Sequence, residues 1–262
     1  MTAAQHGFAV DRLWPDPARD LDLDEAFANL DLPARADGRP WVATNMVTTL
    51  DGRAQLGGTA EGLSGRADRR LMRLYRSAFD AVGSGAGTLR KTDFWSTVPS
   101  DLAERRVAQG KPSQPLAVVI AGSGPIPTDR RWFGWDQPRL VIVGAESPHR
   151  ADTRRLPDAE VVVAPTGRPE PGWVLEVLAA RGIGSFLLEG GPTTNAAFLA
   201  AGCLDELYWT LGARVLATEA LPLIAPLADS PFATTPREAS LVSVHRSGDE
   251  LFLRYGFGDI GP

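Results

Sequence analysis

Ser185-Phe186-Leu187-Leu188-Glu189-Gly190-Gly191-Pro192-Thr193-Thr194 runs from a short apolar strand, across two glycines, into a helix that continues to Ala200. Gly190 and Gly191 carry no side chain to keep backbone N–H groups away from a phosphate, and the helix N-terminus behind them favours negative charge. Pro192 suits a first helical turn, and Thr193 and Thr194 add hydroxyl donors. Glu189 closes the apolar run. A carboxylate there is costly unless it is paired or faces a site, which marks Glu189 as a functional candidate. A strand-to-helix turn with no ligand has the same local sequence, so the surroundings must decide.

Working outward, Phe79-Asp80-Ala81-Val82-Gly83 reads as a second short buried strand, and Gly83-Ser84-Gly85-Ala86-Gly87-Thr88 follows it at once. This turn is not the G-x-G-x-x-G fingerprint, because Thr88 stands where the last glycine belongs, and no Gly-Lys-Ser/Thr follows to make a P-loop. Leu116 to Ala121, Leu140 to Gly144 and Val161 to Ala164 are unbroken apolar runs, the texture of a parallel sheet covered on both faces. Between Arg66 and Arg76 the period changes. Leu71, Leu74, Tyr75 and Ala78 recur at helical spacing, with Arg66, Arg69, Arg70 and Arg73 as a solvated face. Gly172 to Ala180 is a further helix.

Trp41 to Val47 is a strand that ends in the turn Leu50-Asp51-Gly52. Asp205 to Leu211 is another, and Leu241–His245 with Glu250–Phe257 form a closing hairpin about Ser247-Gly248-Asp249. Residues 92–115 are polar and proline-containing and read as a long loop. The pattern predicts an α/β fold: a mixed, mostly parallel sheet flanked by helices, with a C-terminal antiparallel hairpin. Residues 1–38 are expected to be an N-terminal arm holding one short helix capped by Asp24, and residues 39–262 to be one domain.

Composition narrows the function. The 262 residues are 44% hydrophobic and 23% charged, with a formal net charge of -5. An acidic chain has no general pull on nucleic acid or on an anionic membrane. Cys203 is the single cysteine, and His6, His149 and His245 show no ligand spacing, so no metal is expected. No charged-then-apolar leader pattern is visible, and no apolar run approaches the ~18 residues of a membrane span. A cytoplasmic location is expected.

Together the segments Thr49-Leu50-Asp51-Gly52-Arg53, Leu63-Ser64-Gly65, Arg76 through Asp80-Ala81-Val82, Gly85-Ala86-Gly87-Thr88, Leu188-Glu189-Gly190-Gly191-Pro192-Thr193 and Leu204-Asp205-Glu206-Leu207 resemble the reductase domain of the riboflavin pathway. That family reduces 5-amino-6-(5-phosphoribosylamino)uracil with NADPH on a dihydrofolate-reductase-like fold. Order and spacing match over roughly residues 40–257.

The resemblance implies NADPH as cofactor and a small heterocyclic substrate. Thr48, Leu63, Ser64, Gly85 and Thr88 resemble cofactor contacts, as do Gly190, Gly191, Pro192, Thr193, Thr194, Asn195 and Ala196. Ser123 resembles the position that meets the 2′-phosphate. Arg76 and Glu189 resemble substrate contacts, Arg76 suiting a ribose phosphate. Asn45, Asp51 and Glu189 would position the substrate's polar edge, and Asp93 would supply a proton from a closing loop. Three departures stand out. The chain lacks the His-x-Glu and Pro-Cys-x-x-Cys of the family's zinc deaminase domain. Asn45 replaces a common Lys, and Lys91-Thr92-Asp93-Phe94-Trp95 replaces the usual Asp-Asp-Pro segment. Two rivals remain: a dihydrofolate or pterin reductase on the same fold, with Asp68 as its acid, and a non-catalytic NADPH-binding module. The apolar closing strands would suit a homodimer.

Overall fold

The computed structural model describes residues 7–92, 94–122, 124–147, 156 and 158–258. The described chain opens with β1 (Ala9–Trp14), β2 (Ala18–Asp22) and the one-turn helix α1 (Leu23–Ala26). Next come β3 (Trp41–Thr48), α2 (Arg66–Ala78), β4 (Ala81–Gly85), α3 (Ala86–Lys91), α4 (Ser100–Ala108) and β5 (Leu116–Ala121). They are followed by β6 (Arg139–Val143), β7 (Glu160–Val163), α5 (Pro171–Ala179), β8 (Ser185–Leu188) and α6 (Pro192–Ala200). The chain closes with β9 (Glu206–Leu211), β10 (Ser240–Ser247) and β11 (Glu250–Gly256).

The strands form one 11-stranded sheet in the order β2-β1-β10-β11-β9-β3-β8-β4-β5-β6-β7. From β9 to β7 each neighbouring pair is parallel, and from β2 to β9 each is antiparallel. The mixed, mostly parallel sheet and the C-terminal hairpin are those the sequence predicts. β4, β6 and β8 are buried along their whole length, as uninterrupted apolar strands of a parallel sheet must be.

Alternation along each strand divides the core between two faces. On one face Leu71, Leu74 and Tyr75 of α2 pack on Ala43, Val82, Leu187 and Tyr208. On the other, Val174, Leu175 and Leu178 of α5 and Phe198 of α6 pack on Val42, Phe186 and Leu188. Arg66, Arg69 and Arg73 lie in solvent, as their spacing predicts. Arg70 instead ties α2 to α1 and α4 through Asp24 and Asp101.

Three expectations are corrected. Residues 7–38 contribute two strands to the sheet, and α1 is capped by Asp22, whose carboxylate accepts from the N–H of Asp24 and Glu25. The sequence Ala18-Arg19-Asp20-Leu21-Asp22 gives no apolar strand signal because β2 is the exposed edge. Within residues 92–115, α4 buries only Leu102 and Arg106, too narrow a stripe to show a helical period. Finally, the second glycine turn is shorter than expected, since Ala86-Gly87-Thr88 already belongs to α3. The closing strands lie inside the sheet with β1 and β2 beyond β10. Neither closing strand therefore offers an open sheet edge to a second copy.

His245 on β10 is buried, its ring centroid 4.7 Å from that of Phe27, and its Nδ1 has no hydrogen-bond partner among the described residues. Burial, with the positive charges of Arg12 and Arg254, pushes its pKa down to about 4. The unfolded chain takes up this proton near the ordinary value of about 6.5. Stability from the neutral imidazole is therefore complete above pH ~6.5, falls as the pH drops towards 4 and levels off below that. His245→Phe is expected to flatten the parent's decline in melting temperature across this window. Parallel melting curves for parent and variant would refute the assignment.

Candidate active site

The carboxyl ends of the parallel strands lie along one edge, in the spatial order β3, β8, β4, β5, β6, β7. Ligands of parallel α/β sheets bind in crevices outside that edge. Thr48 ends β3, Gly190–Thr194 follow β8, and Gly85 and Thr88 end β4 and open α3. Residues 146 positions apart in sequence, Thr48 and Thr194, thus fall in one row. The two glycine turns touch. A Cβ on Gly85 would lie 2.4 Å from Thr194 Oγ1, and one on Gly191 would lie 3.2 Å from Thr194 Oγ1 and 3.4 Å from Thr88 Oγ1. Gly190 and Gly191 both have positive φ, 86° and 82°, a region open to glycine at no steric cost.

Behind this turn stands the nine-residue α6, with Pro192 in its first turn and Thr193 exposed. Asn195 and Ala196 are buried inside it. Asn195 donates weakly to Leu223 O at 3.5 Å, while its Oδ1 is buried with no partner among the described residues. A close-packed glycine cradle at a helix N-terminus, with an orphaned amide oxygen next to it, fits a phosphate-bearing ligand with a further polar group. Thr48, expected as a cofactor contact, accepts a hydrogen bond from Trp209 Nε1 at 2.8 Å. Leu63 is buried beside Gly212, where a Cβ would lie 2.1 Å from Leu63 O. Ser64 donates to Asp68 at 2.5 Å.

The substrate-side candidates meet on the α2 face. Leu187 packs towards α2 and Leu188 away from it, so Glu189 turns back towards α2. There it receives a two-pronged ion pair from Arg76: Nε to Oε1 at 2.8 Å and Nη2 to Oε2 at 2.6 Å. Their side chains are 5% and 7% exposed, so this pair lies out of bulk water. The two residues expected to hold substrate thus hold each other. Asn45 lies one residue beyond the Thr44–Leu188 pairing and opposite Tyr208, with Ala43 fixing its parity on the same face. Phe94 lies over the pair, its ring centroid 5.9 Å from Arg76 Cζ. Asp93 and Ser123 lie outside the described residues.

Asp51 has a different surrounding from the others. It is exposed, accepts from Thr49 Oγ1 at 2.6 Å and from the N–H groups of Ala217 and Leu216 at 2.9 and 3.2 Å. The Thr49 hydroxyl and these backbone donors hold its carboxyl down to about 2. Asp51 pins the turn after β3 to the segment after β9. Asp68 accepts from Ser64 and, at 2.6 Å, from Thr210 Oγ1, and burial pushes its pKa up despite both donors. The sequence marked Asp68 only as a rival's acid. Its partner Thr210, 142 residues on, carries no local signal.

A mostly parallel sheet with touching glycine turns on its carboxyl edge, and a buried Arg–Glu pair beside them, makes this chain a mixed α/β protein with a ligand-binding crevice outside its strand ends. The profile of the RibD C-terminal domain matches residues 40–227. The chain belongs to that family. A 2,5-diamino-6-ribosylamino-4(3H)-pyrimidinone 5′-phosphate reductase of Methanothermobacter thermautotrophicus is 31% identical over 169 residues, 64% of this chain and 76% of the relative. The riboflavin biosynthesis protein RibD of Mycobacterium tuberculosis is 30% identical over 171 residues, which span 65% of this chain and 41% of that protein. In fold, the chain is similar to a pyrimidine reductase-like protein of Corynebacterium diphtheriae. The TM-score is 0.75 at 24% identity, covering 90% of this chain and 98% of the other. No helix among the described residues is long and apolar enough to cross a membrane, and no cluster there has the makings of a metal site.

Proposed function

We propose that this chain is an NADPH-dependent reductase of a ribosylaminopyrimidine phosphate, the reaction named for its archaeal relatives. A homodimer and a cytoplasmic location go with this reading. The observation that carries it is the single row formed on the sheet's carboxyl edge by the two glycine turns, with Asn45, Glu189 and Arg76 immediately beside them.

The dinucleotide, when bound, supplies the hydride. The chain supplies position. Gly190 and Gly191 let the backbone approach the pyrophosphate, and the α6 N-terminus stabilises its charge. Arg76 holds the Glu189 carboxylate in a fixed plane. Glu189 and the Asn45 amide then present an acceptor and a donor to the edge of a heterocycle, a fixed pair that lowers the entropic part of the barrier. Asp93 remains the proposed proton donor, on the loop whose next residue, Phe94, covers the pair.

The test offers the pure protein NADPH with the phosphoribosyl pyrimidine and, in parallel, dihydrofolate. Oxidation of NADPH is expected with the first only. A hundredfold excess of NADPH over its Kd should stabilise by about 2.7 kcal/mol, roughly 5–10 °C in melting temperature for a chain of this size. A thermal shift without turnover of either compound would leave a binding module. Turnover of dihydrofolate alone would put the pterin reading first.

A further inference from the structure

The segment Leu63-Ser64-Gly65 leads into α2 at the carboxyl end of β3, and three separate parts of the fold hold it there. Gly212, just past β9, donates its N–H to Thr48 O at 2.8 Å, and a Cβ on it would lie 2.1 Å from Leu63 O and 3.4 Å from Thr48 O. Ser64 donates to Asp68 Oδ2, while Thr210 on β9 donates to Asp68 Oδ1. Gly65 donates its N–H to Glu250 Oε1 at 2.5 Å. Glu250 is the first residue of β11 and lies 185 positions away in sequence.

The contact with Glu250 stands apart from the other two. Gly65 opens α2 with extended backbone and supplies no side-chain cap. In the usual reciprocal cap, the side chain three residues into the helix accepts from the N–H of the capping residue. Asp68 occupies that position, but both its oxygens are engaged by hydroxyls. Glu250 takes over its task from another element. Glu250 is half-buried. Burial pushes its carboxyl up and the Asp68 charge adds to this, against the Gly65 N–H and the weaker pull of Arg214 and Arg69. A carboxyl raised in this way favours the fold while protonated, and that contribution is lost as the pH rises through its folded value. At pH 8 the contact therefore adds little stability, so its use lies in what it holds in place.

What it holds faces the reaction. The pyrophosphate is proposed at the glycine turns of β8 and β4, and the substrate groups stand at β3 and β8. The reacting end of the dinucleotide then points to β3, where Leu63-Ser64-Gly65 stands against the same glycine as Thr48 O. We propose that Glu250 is a positioning residue for the nicotinamide end of the dinucleotide: by holding the Gly65 N–H it fixes the segment against which that end lies. The antiparallel half of the sheet is thereby tied to the reaction site, since β11 is two strands from β3. The inference rests on the dinucleotide reading of the proposed function.

The experiment measures the affinities of NADPH and of 2′,5′-ADP, which lacks the nicotinamide half, for the parent, Glu250→Ala, Glu250→Gln, Gly65→Ala and the double variant Gly65→Ala with Glu250→Ala. Melting temperatures at pH 8 are taken alongside. Glu250→Ala should weaken NADPH about tenfold and leave 2′,5′-ADP within about twofold. Glu250→Gln keeps an oxygen acceptor for Gly65 and should restore NADPH affinity close to that of the parent. A Cβ on Gly65 would lie 3.3 Å from each Glu250 carboxylate oxygen, so Gly65→Ala should displace the carboxylate without straining a backbone at φ −94°. It should weaken NADPH as Glu250→Ala does, and the double variant should lose no more than either single one. If Glu250→Ala fails to fold, Gly65→Ala carries the same comparison. A lowered melting temperature with unchanged NADPH affinity would make the contact structural only. Equal losses of NADPH and 2′,5′-ADP would mean that the whole site is disturbed, and a glutamine variant as weak as the alanine one would remove the hydrogen bond as the cause. Each of these overturns the role of Glu250 and leaves the reductase reading intact. A parent that binds neither ligand would overturn both.

Discussion

Arg76→Ala is expected to lower the melting temperature by roughly 6–20 °C. Arg76 and Glu189 are both buried and joined by two short charge-assisted contacts. Removing one member of such a pair leaves the other charge without solvent or partner, which costs about 3–5 kcal/mol. For a chain of this size each kcal/mol moves the midpoint by about 2–4 °C. Arg76→Leu combined with Glu189→Leu should regain much of the stability, since a well-packed apolar pair of similar volume replaces an ion pair at little net cost. The same double variant should have no reductase activity. A midpoint unchanged in Arg76→Ala would mean the pair is wetter than its geometry indicates. A raised KM for substrate with unchanged stability would mean that Arg76 binds substrate directly rather than through Glu189.

The second large effect is on the cofactor. Gly191→Val should abolish the thermal shift with NADPH altogether while the far-ultraviolet spectrum keeps its shape. Gly191 sits at φ 82° and ψ 91°, a conformation that costs a branched residue of order 1–3 kcal/mol. The new side chain would also stand between Thr194 and Thr88, where the two turns meet, in the space proposed for the pyrophosphate. Strain and obstruction can be told apart. Gly202 also has positive φ, at 65°, but a Cβ there would meet nothing within 4 Å, and it lies past the far end of α6. Gly202→Val should pay the strain alone, with a lowered melting temperature and an undiminished shift on adding NADPH. Equal losses of NADPH binding in the two variants would remove the glycine pair from the site.

How far the chain could be read in advance depended on the range of the forces involved. The strand, glycine pair and helix from Ser185 to Ala200 were legible because each choice is local. An apolar run can only be a buried strand there, two glycines permit positive φ, and proline opens a helix. The runs at β5 and β6 were legible because strands covered on both faces read as near-continuous apolar runs. From these alone the α/β class followed, and the two glycine turns stood out as candidate phosphate sites, while the other cofactor candidates rested on the family resemblance. Edge strand β2 and helix α4 were not legible, since each buries too little to leave a period in its sequence.

What only the tertiary structure decided was which distant groups meet. Arg76 and Glu189 are 113 residues apart. They pair because β8 is inserted between β3 and β4, an order that depends on the packing of the whole sheet and not on any segment of it. The same insertion brings Gly85 against Thr194, and the return of β9 beside β3 brings Thr210 to Asp68. Backbone preferences act over a few residues and are written into the sequence. Charge pairing acts through space, and its partners are chosen by the fold.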